Sequence, residues 1–160
     1  MIRIKNHQNN QEMKHSKYIV CSLIILFVFV SCNRVETTSE VVAAYADGKP
    51  KVAVEYTTNE QGEKVLYKET HYFPGEKKYV EGKYDENQHR NGMWTSWYDN
   101  GQKNSECKYV DGKEEGAYRV WHPNGKPYIK GKYKMGVKVG IFTFYDSLGN
   151  VTQEVNYDKK

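Results

Sequence analysis

The sequence predicts an all-β fold: an elongated antiparallel β-meander, or single-layer solenoid, built from tandem β-hairpin repeats. Three observations carry that expectation. One pattern recurs at a spacing of 24 residues, as GMWTSWYDNG (92–101), GAYRVWHPNG (116–125) and GIFTFYDSLG (140–149), and a tyrosine follows each copy eight residues after its last glycine: Tyr109, Tyr133 and Tyr157. The residues after each of those glycines alternate with the two-residue period of a strand. Beyond the first 31 residues, Gly, Asn, β-branched or aromatic residues interrupt every stretch long enough to be a helix. A fixed period of this kind marks stacked repeats that each contact their neighbours.

The first residues stand apart from this pattern. Residues 18–30 (YIVCSLIILFVFV) are an apolar run preceded by Lys14 and Lys17 and followed by Ser31 and Cys32, the positive, apolar, small-residue order of an export signal. The run falls short of the about 20 residues a bilayer-spanning helix needs, although an uncleaved membrane anchor stays open as the alternative. Phe29-Val30-Ser31-Cys32 resembles the end of a bacterial lipoprotein signal, with Phe29 where that family usually carries leucine. The resemblance implies a signal peptide over 1–31 that is removed, and acylation of Cys32 at the new N-terminus. Residues 1–12 are long and polar for a leader, and Met13 followed by Lys14 offers a more ordinary start.

The chain of 160 residues carries 24 Lys+Arg and 20 Asp+Glu, a net charge of +4. Arg3, Lys5, Glu12, Lys14 and Lys17 precede Cys32, so residues 32–160 hold 20 basic and 19 acidic side chains. That near-balance gives no warrant for nucleic-acid binding, which leaves a basic footprint. The 129 residues from Cys32 onward suit one domain with a real core. With Cys21 in the apolar run and Cys32 as the lipid site, Cys107 has no intramolecular disulfide partner. Packing alone holds the fold.

The elements follow in order. Residues 32–40 read as a polar tether, 41–157 as the repeat domain and 158–160 as a charged tail. Val41, Ala43 and Tyr45, then Val52, Val54 and Tyr56, alternate around Asp47-Gly48 and predict two strands joined by a turn. Residues 57–64 form a polar turn, and a further strand over 65–73 ends at Pro74-Gly75. The turn glycines are thus Gly48, Gly75, Gly101, Gly125 and Gly149, with the irregular early spacing absorbed by loop insertions such as 85–91. Leucine is costly at positive φ, so Leu148-Gly149 disfavours a type I′ turn. A type I turn on Ser147-Leu148 with Gly149 as a left-handed bulge fits better, and the same geometry accepts Pro123.

Strand alternation assigns faces. Counting four, six and eight residues from the turn glycine places Val52, Val54 and Tyr56 on one side, and with them Ser105, Cys107 and Tyr109, then Ile129, Gly131 and Tyr133, then Gln153, Val155 and Tyr157. Tyr56, Tyr109, Tyr133 and Tyr157 are therefore core rungs, and Cys107 is a small packing residue in the register of Val54 and Val155. Before the turns, Trp94, Tyr118 and Phe142 align. Trp97, Trp121 and Tyr145 align on the opposite parity, so these strands carry aromatics on both sides.

The unit of glycine, aromatic pair, Asn-Gly and a charged strand ending in tyrosine resembles the variant MORN repeats of bacterial proteins, often of the YwqK-family toxin–antitoxin antitoxin type. LYKETHYFPG (66–75) and AYADG (44–48) are weaker copies. The resemblance implies an elongated β-meander and roles in scaffolding, membrane-lipid contact or protein contact. It carries no catalytic residues to transfer.

No catalytic constellation emerges from the residues themselves, and the protein reads as no enzyme. His71, His89 and His122 match no zinc spacing, and His71 and His122 fall beside turns in comparable aromatic positions. The glycines close β-turns instead of cradling phosphate, so no metal or other cofactor is implied. The aromatic edge of Trp97, Tyr98, Trp121, His122 and Tyr145 is the candidate interaction surface for protein, glycan or lipid. The competing reading is that these rings pack the solenoid under Lys stems. The expected function is that of a non-enzymatic binding or structural module anchored by lipid in the bacterial cell envelope. Asn33, not aspartate, points to the outer membrane of a diderm cell. An antitoxin-like partner-binding protein and a cell-wall glycan enzyme on a repeat scaffold are the alternatives.

Overall fold

The computed structural model describes residues 36–159; the expected leader, Cys32 and the first part of the tether lie outside the described residues. Ten strands follow one another: β1 (Thr38–Ala44), β2 (Pro50–Thr58), β3 (Lys64–Tyr72), β4 (Lys78–Tyr84), β5 (Arg90–Trp97), β6 (Lys103–Val110), β7 (Lys113–Trp121), β8 (Pro127–Lys134), β9 (Val137–Tyr145) and β10 (Val151–Asn156). They make one open sheet in which spatial order equals chain order. Every neighbouring pair is antiparallel. Short turns suffice for such a meander, whereas parallel pairing would need long crossovers. The result is the elongated all-β sheet that the 24-residue period predicts.

One end of the sheet is built from five-residue turns. In them the amide of Gly48 donates to Tyr45 O, that of Gly101 to Tyr98 O, that of Gly125 to His122 O and that of Gly149 to Asp146 O, at 2.8–3.0 Å. These glycines have φ of 81, 84, 79 and 94°, the left-handed conformation that leucine or valine resists. Asp146 Oδ1 also accepts from the amides of Leu148 and Asn150, each at 2.9 Å, which fixes the turn around Leu148.

Gly75 departs from this register. In its turn the amide of Glu76, not Gly75, donates to Phe73 O. Pro74 and Gly75 are the central residues, and Glu76 takes the left-handed place with φ of 67°. Counting from Glu76 puts Val80, Gly82 and Tyr84 at offsets four, six and eight. Tyr84 is thus the rung that a count from Gly75 misses.

The opposite end holds two tight turns of another kind. Asp111-Gly112 has φ of 50 and 76°, and Met135-Gly136 has 51 and 81°, so both central residues are left-handed as a type I′ hairpin requires. Gly92, Gly116 and Gly140, which open the three clear copies, have φ of 78, 84 and 67°. Each lies where pairing with the preceding strand slips, between Glu81 and Lys83, Cys107 and Tyr109, and Lys130 and Lys132. They are bulge residues, a role for which glycine is the least strained choice.

Strand β1 begins at Thr38, inside the segment 32–40 expected to be a tether. Thr38, Ser39 and Glu40 pair with Tyr56, Glu55 and Val54. The nine-residue β2 supplies the partners, and an edge strand tolerates polar side chains.

The core is a single layer of rings on one face, called here the tyrosine face. Val54, Trp94, Cys107 and Phe142 are its buried apolar residues. Cross-strand register sets Trp94 opposite Cys107, Tyr118 opposite Gly131 and Phe142 opposite Val155. The large rings stand edge-on to tyrosines: Tyr84–Trp94 at 5.4 Å, Tyr133–Phe142 at 5.6 Å and Phe142–Tyr157 at 5.1 Å between centroids. Each such contact adds about 0.5–1.5 kcal/mol beyond area burial. Tyr56, Tyr109 and Tyr133 are half-buried, and Tyr157, on the last strand, is 41% exposed.

In β3 the ring row is broken. Glu69 sits opposite Val54 and Gly82, where later hairpins carry Trp94, Tyr118 or Phe142. Tyr84 Oη donates to Glu69 Oε2 at 2.6 Å, and His71 Nε2 contacts the other oxygen. Burial alone would raise the Glu69 carboxyl, but hydrogen bonds from Tyr84 and His71, with the charges of His71 and Arg90, hold it below its usual range. Burial, and then Glu69, push the Tyr84 phenol up to about 12.

Candidate functional site

The second face of the sheet carries Trp97, Trp121 and Tyr145, each the last residue of its strand. They sit on alternate strands, so the rings repeat every ~10 Å along the sheet. A lysine from the preceding strand covers each one: Lys78 Nζ lies 5.7 Å from the Trp97 ring, Lys103 Nζ 5.8 Å from Trp121 and Lys130 Nζ 5.2 Å from Tyr145. All three rings are half-buried. The outcome is a row of alternating aromatic and cationic groups.

A line of charges runs beside the row. Glu106 binds Lys103 at 2.7 Å and Arg119 at 2.8 Å, and Lys68 bridges Glu55 and Glu81, each at 3.3 Å. Burial would raise the Glu106 carboxyl, but hydrogen bonds from Lys103 and Arg119 hold it below the ordinary value. Pairs this exposed contribute about 0–1 kcal/mol each. The Glu106 pair also holds the Lys103 head on the side of the Trp121 ring.

Tyr98 and His122 occupy the first position of the five-residue turns next to this row. Tyr98 Oη donates to Trp121 O at 2.8 Å, and His122 Nε2 stands 3.0 Å from Tyr145 O. The same geometry recurs at Tyr45, whose hydroxyl donates to Tyr72 O at 2.7 Å. Asn100 Nδ2 reaches Pro123 O, and Asn124 Nδ2 reaches Ser147 O, both at 2.8 Å. Each turn is therefore tied to the next by side chains that donate to its carbonyls. Trp97, Trp121 and Tyr145 form the row, while Tyr98 and His122 brace it. Phe73 holds the equivalent turn position without a donor, so His122 corresponds to Phe73 and not to His71. His71 lies within β3 on the tyrosine face, opposite Val52 and Val80.

Two further groups bear on chemistry. Burial, and then the charge of Glu114, push the Cys107 thiol up to about 11, which leaves it protonated and unreactive at neutral pH. Asp85, His89 and Asp111 place ligand atoms within 4.8 Å of one another. Asp85 Oδ1, however, already accepts the amides of Asn87 and His89, and His89 Nδ1 is 2.7 Å from Asp111 Oδ1. That arrangement is a turn and an exposed histidine–aspartate hydrogen bond, not a coherent metal centre. No helix among the described residues is long and apolar enough to cross a membrane.

Three segments, 90–111, 114–135 and 138–159, match the family model of the MORN repeat variant. The fold is MORN-repeat-like. Each matched segment takes in one hairpin closed by a five-residue turn: β5 with β6, β7 with β8, and β9 with β10. The strands β1 to β4 continue the pairing outside the matched segments. No curated relative matches the chain. The MORN-like hairpins form a repeat scaffold suited to a binding or structural role, and among the described residues no catalytic constellation is assembled.

Proposed function

We propose that this scaffold is an envelope-anchored binding module, tethered through an acylated Cys32, that presents the Trp97–Trp121–Tyr145 row to a protein partner. The observation that carries the binding reading is the row itself: three half-buried rings at regular spacing, each under a lysine. Aromatic and cationic groups on a rigid support are what protein contact surfaces concentrate. Glycan stacking would use the same rings, and the lysines favour an acidic protein surface over a neutral sugar. The anchoring reading is supported by the order Lys14, Lys17, apolar 18–30, Ser31, Cys32. Location at the outer membrane in a diderm cell follows from Asn33 under the same reading.

An antitoxin-like protein without processing makes the opposite expectation for the leader. Metabolic labelling with a palmitate analogue, comparing the native protein with Cys32→Ala, separates the two. Label in the native protein alone supports the anchored module; its absence from both defeats that reading.

A further inference from the structure

The three matched hairpins differ at one place that their shared backbone makes comparable. Arg90, Glu114 and Lys138 each stand near the start of a hairpin's first strand, opposite Tyr84, Tyr109 and Tyr133 respectively. In the first hairpin the Arg90 guanidinium lies 4.0 Å from the Trp94 ring centroid and 5.5 Å from that of Tyr109. In the third, Lys138 Nζ lies 5.1 Å from both Phe142 and Tyr157. Both hairpins thus hold a cation over their own pair of rings. The middle hairpin has the same pair, Tyr118 and Tyr133, meeting edge to face at 5.4 Å. Among the described residues no cationic side chain stacks on either ring, and the residue in the cation's place is the acid Glu114.

Glu114 is half-buried. Among the described residues its carboxylate makes no ion pair, and it accepts one long hydrogen bond, from Tyr109 Oη at 3.5 Å. With Trp94, Tyr109, Tyr118 and Tyr133 it lines a cavity of about 230 Å³, on whose wall Arg90 is held against Trp94. Ring faces carry partial negative charge and attract a diffuse cation, and a carboxylate among them supplies a full counter-charge. A hard metal ion needs several oxygen ligands, and a primary ammonium needs three acceptors. Glu114 is the only carboxylate in that lining, and the neighbouring Ser96 and Ser105 hydroxyls bond each other at 2.7 Å. A single charge among several rings suits a diffuse organic cation, such as one clad in methyl groups, better than a hard ion.

We propose that Glu114, Tyr118 and Tyr133, with Tyr109 completing the wall, bind a quaternary ammonium group of the choline kind. The site is on the face opposite the Trp97 row and does not depend on that row's function. The group can arrive as a free small molecule or as a lipid head group, and the test separates these.

The full chain is titrated calorimetrically with choline and, in parallel, with its neutral isostere 3,3-dimethylbutan-1-ol. It is also sedimented with phosphatidylcholine vesicles and with phosphatidylglycerol vesicles as the control. Saturable choline binding, absent for the isostere and weakened about tenfold or more by Glu114→Gln, is the expected result. Glu114→Arg, which restores the arrangement of the flanking hairpins, abolishes binding without lowering the urea midpoint. Glu114-dependent retention on phosphatidylcholine vesicles alone identifies the lipid source; choline binding without retention identifies the free one. The proposal is overturned if neither probe binds in a Glu114-dependent way, if the isostere binds as well as choline, or if Glu114→Arg still binds.

Discussion

The ring of Phe142 lies directly on Gly131, so a β-carbon at that glycine would stand 2.4 Å from Phe142 Cε1. Gly82 has the same relation to Trp94, at 2.1 Å from Cδ2. Neither glycine is among the left-handed residues, so what each supplies is space under a ring. Gly131→Ala is expected to destabilise the fold by about 1–3 kcal/mol through overpacking. In a double-mutant cycle with Phe142→Leu the two costs are expected to be less than additive. Urea unfolding monitored by tryptophan fluorescence measures both.

The left-handed turn residues predict opposite signs for two substitutions. Gly125 has φ of 79°, and a β-carbon there would stand only 3.2 Å from Gln102 Oε1, so Gly125→Val is expected to cost at least about 1 kcal/mol. Met135 is a non-glycine at φ of 51° in a type I′ turn. Met135→Asn creates the preferred Asn-Gly pair and is expected to stabilise by about 0.5 kcal/mol or more. Thermal unfolding of the two variants beside the native protein checks the signs.

The row of aromatic donors between turns has a gap at Phe73, where Lys77 Nζ, donating to Asp99 O at 2.8 Å, is the side-chain tie to the next turn. Tyr45 and Tyr98 donate to the carbonyls of Tyr72 and Trp121, and Phe73 stands in the equivalent position facing the hairpin of Trp97. Tyr98→Phe is expected to cost about 0.5–1.5 kcal/mol, the net value of a hydrogen bond, and Phe73→Tyr to recover part of such an increment. Amide hydrogen exchange in the 98–102 turn reports the gain locally.

Acid should weaken the fold through named carboxyls. In Glu69, Glu81 and Glu106 burial raises the carboxyl, but hydrogen bonds and cationic neighbours outweigh it, so each is held below the ordinary 4.5. A carboxyl depressed in the folded state contributes stability that is fully present above its unfolded value and lost as pH falls through the folded one. The urea midpoint is therefore expected to decline below pH 4.5 rather than near neutrality. Glu106→Gln lowers the midpoint at neutral pH and makes the acid decline shallower.

Much of this was legible in the sequence, for a physical reason. Repeats of one length force one turn geometry and one register, so the bulge at Gly149 and the pairing of faces follow from Leu148 and the alternation alone. Gly75 misled because two adjacent residues, Gly75 and Glu76, are both left-handed, and only the second aligns with the other turns. The tight turn at Asp111-Gly112 carried a recognisable hairpin dipeptide, whereas Met135-Gly136 carried none. The bracing roles of Tyr98 and His122 depend on a carbonyl 23 residues away, which a single strand's pattern does not display. The middle hairpin's Glu114 stands out only when Arg90 and Lys138 are seen stacked on their rings.

The Trp97–Trp121–Tyr145 row as the contact surface of a repeat scaffold is tested most directly by affinity capture from envelope extract. Native full-length protein is compared with Trp97→Ala/Trp121→Ala and with Lys103→Glu/Lys130→Glu, which alters the row without deleting rings. Leu148→Ala, at a turn tip where Leu148 is 72% exposed, is the control. A protein captured by the native chain and the control but lost from both row variants, each still giving a cooperative urea transition, is the predicted result. Equal capture of the same proteins by all four would contradict it.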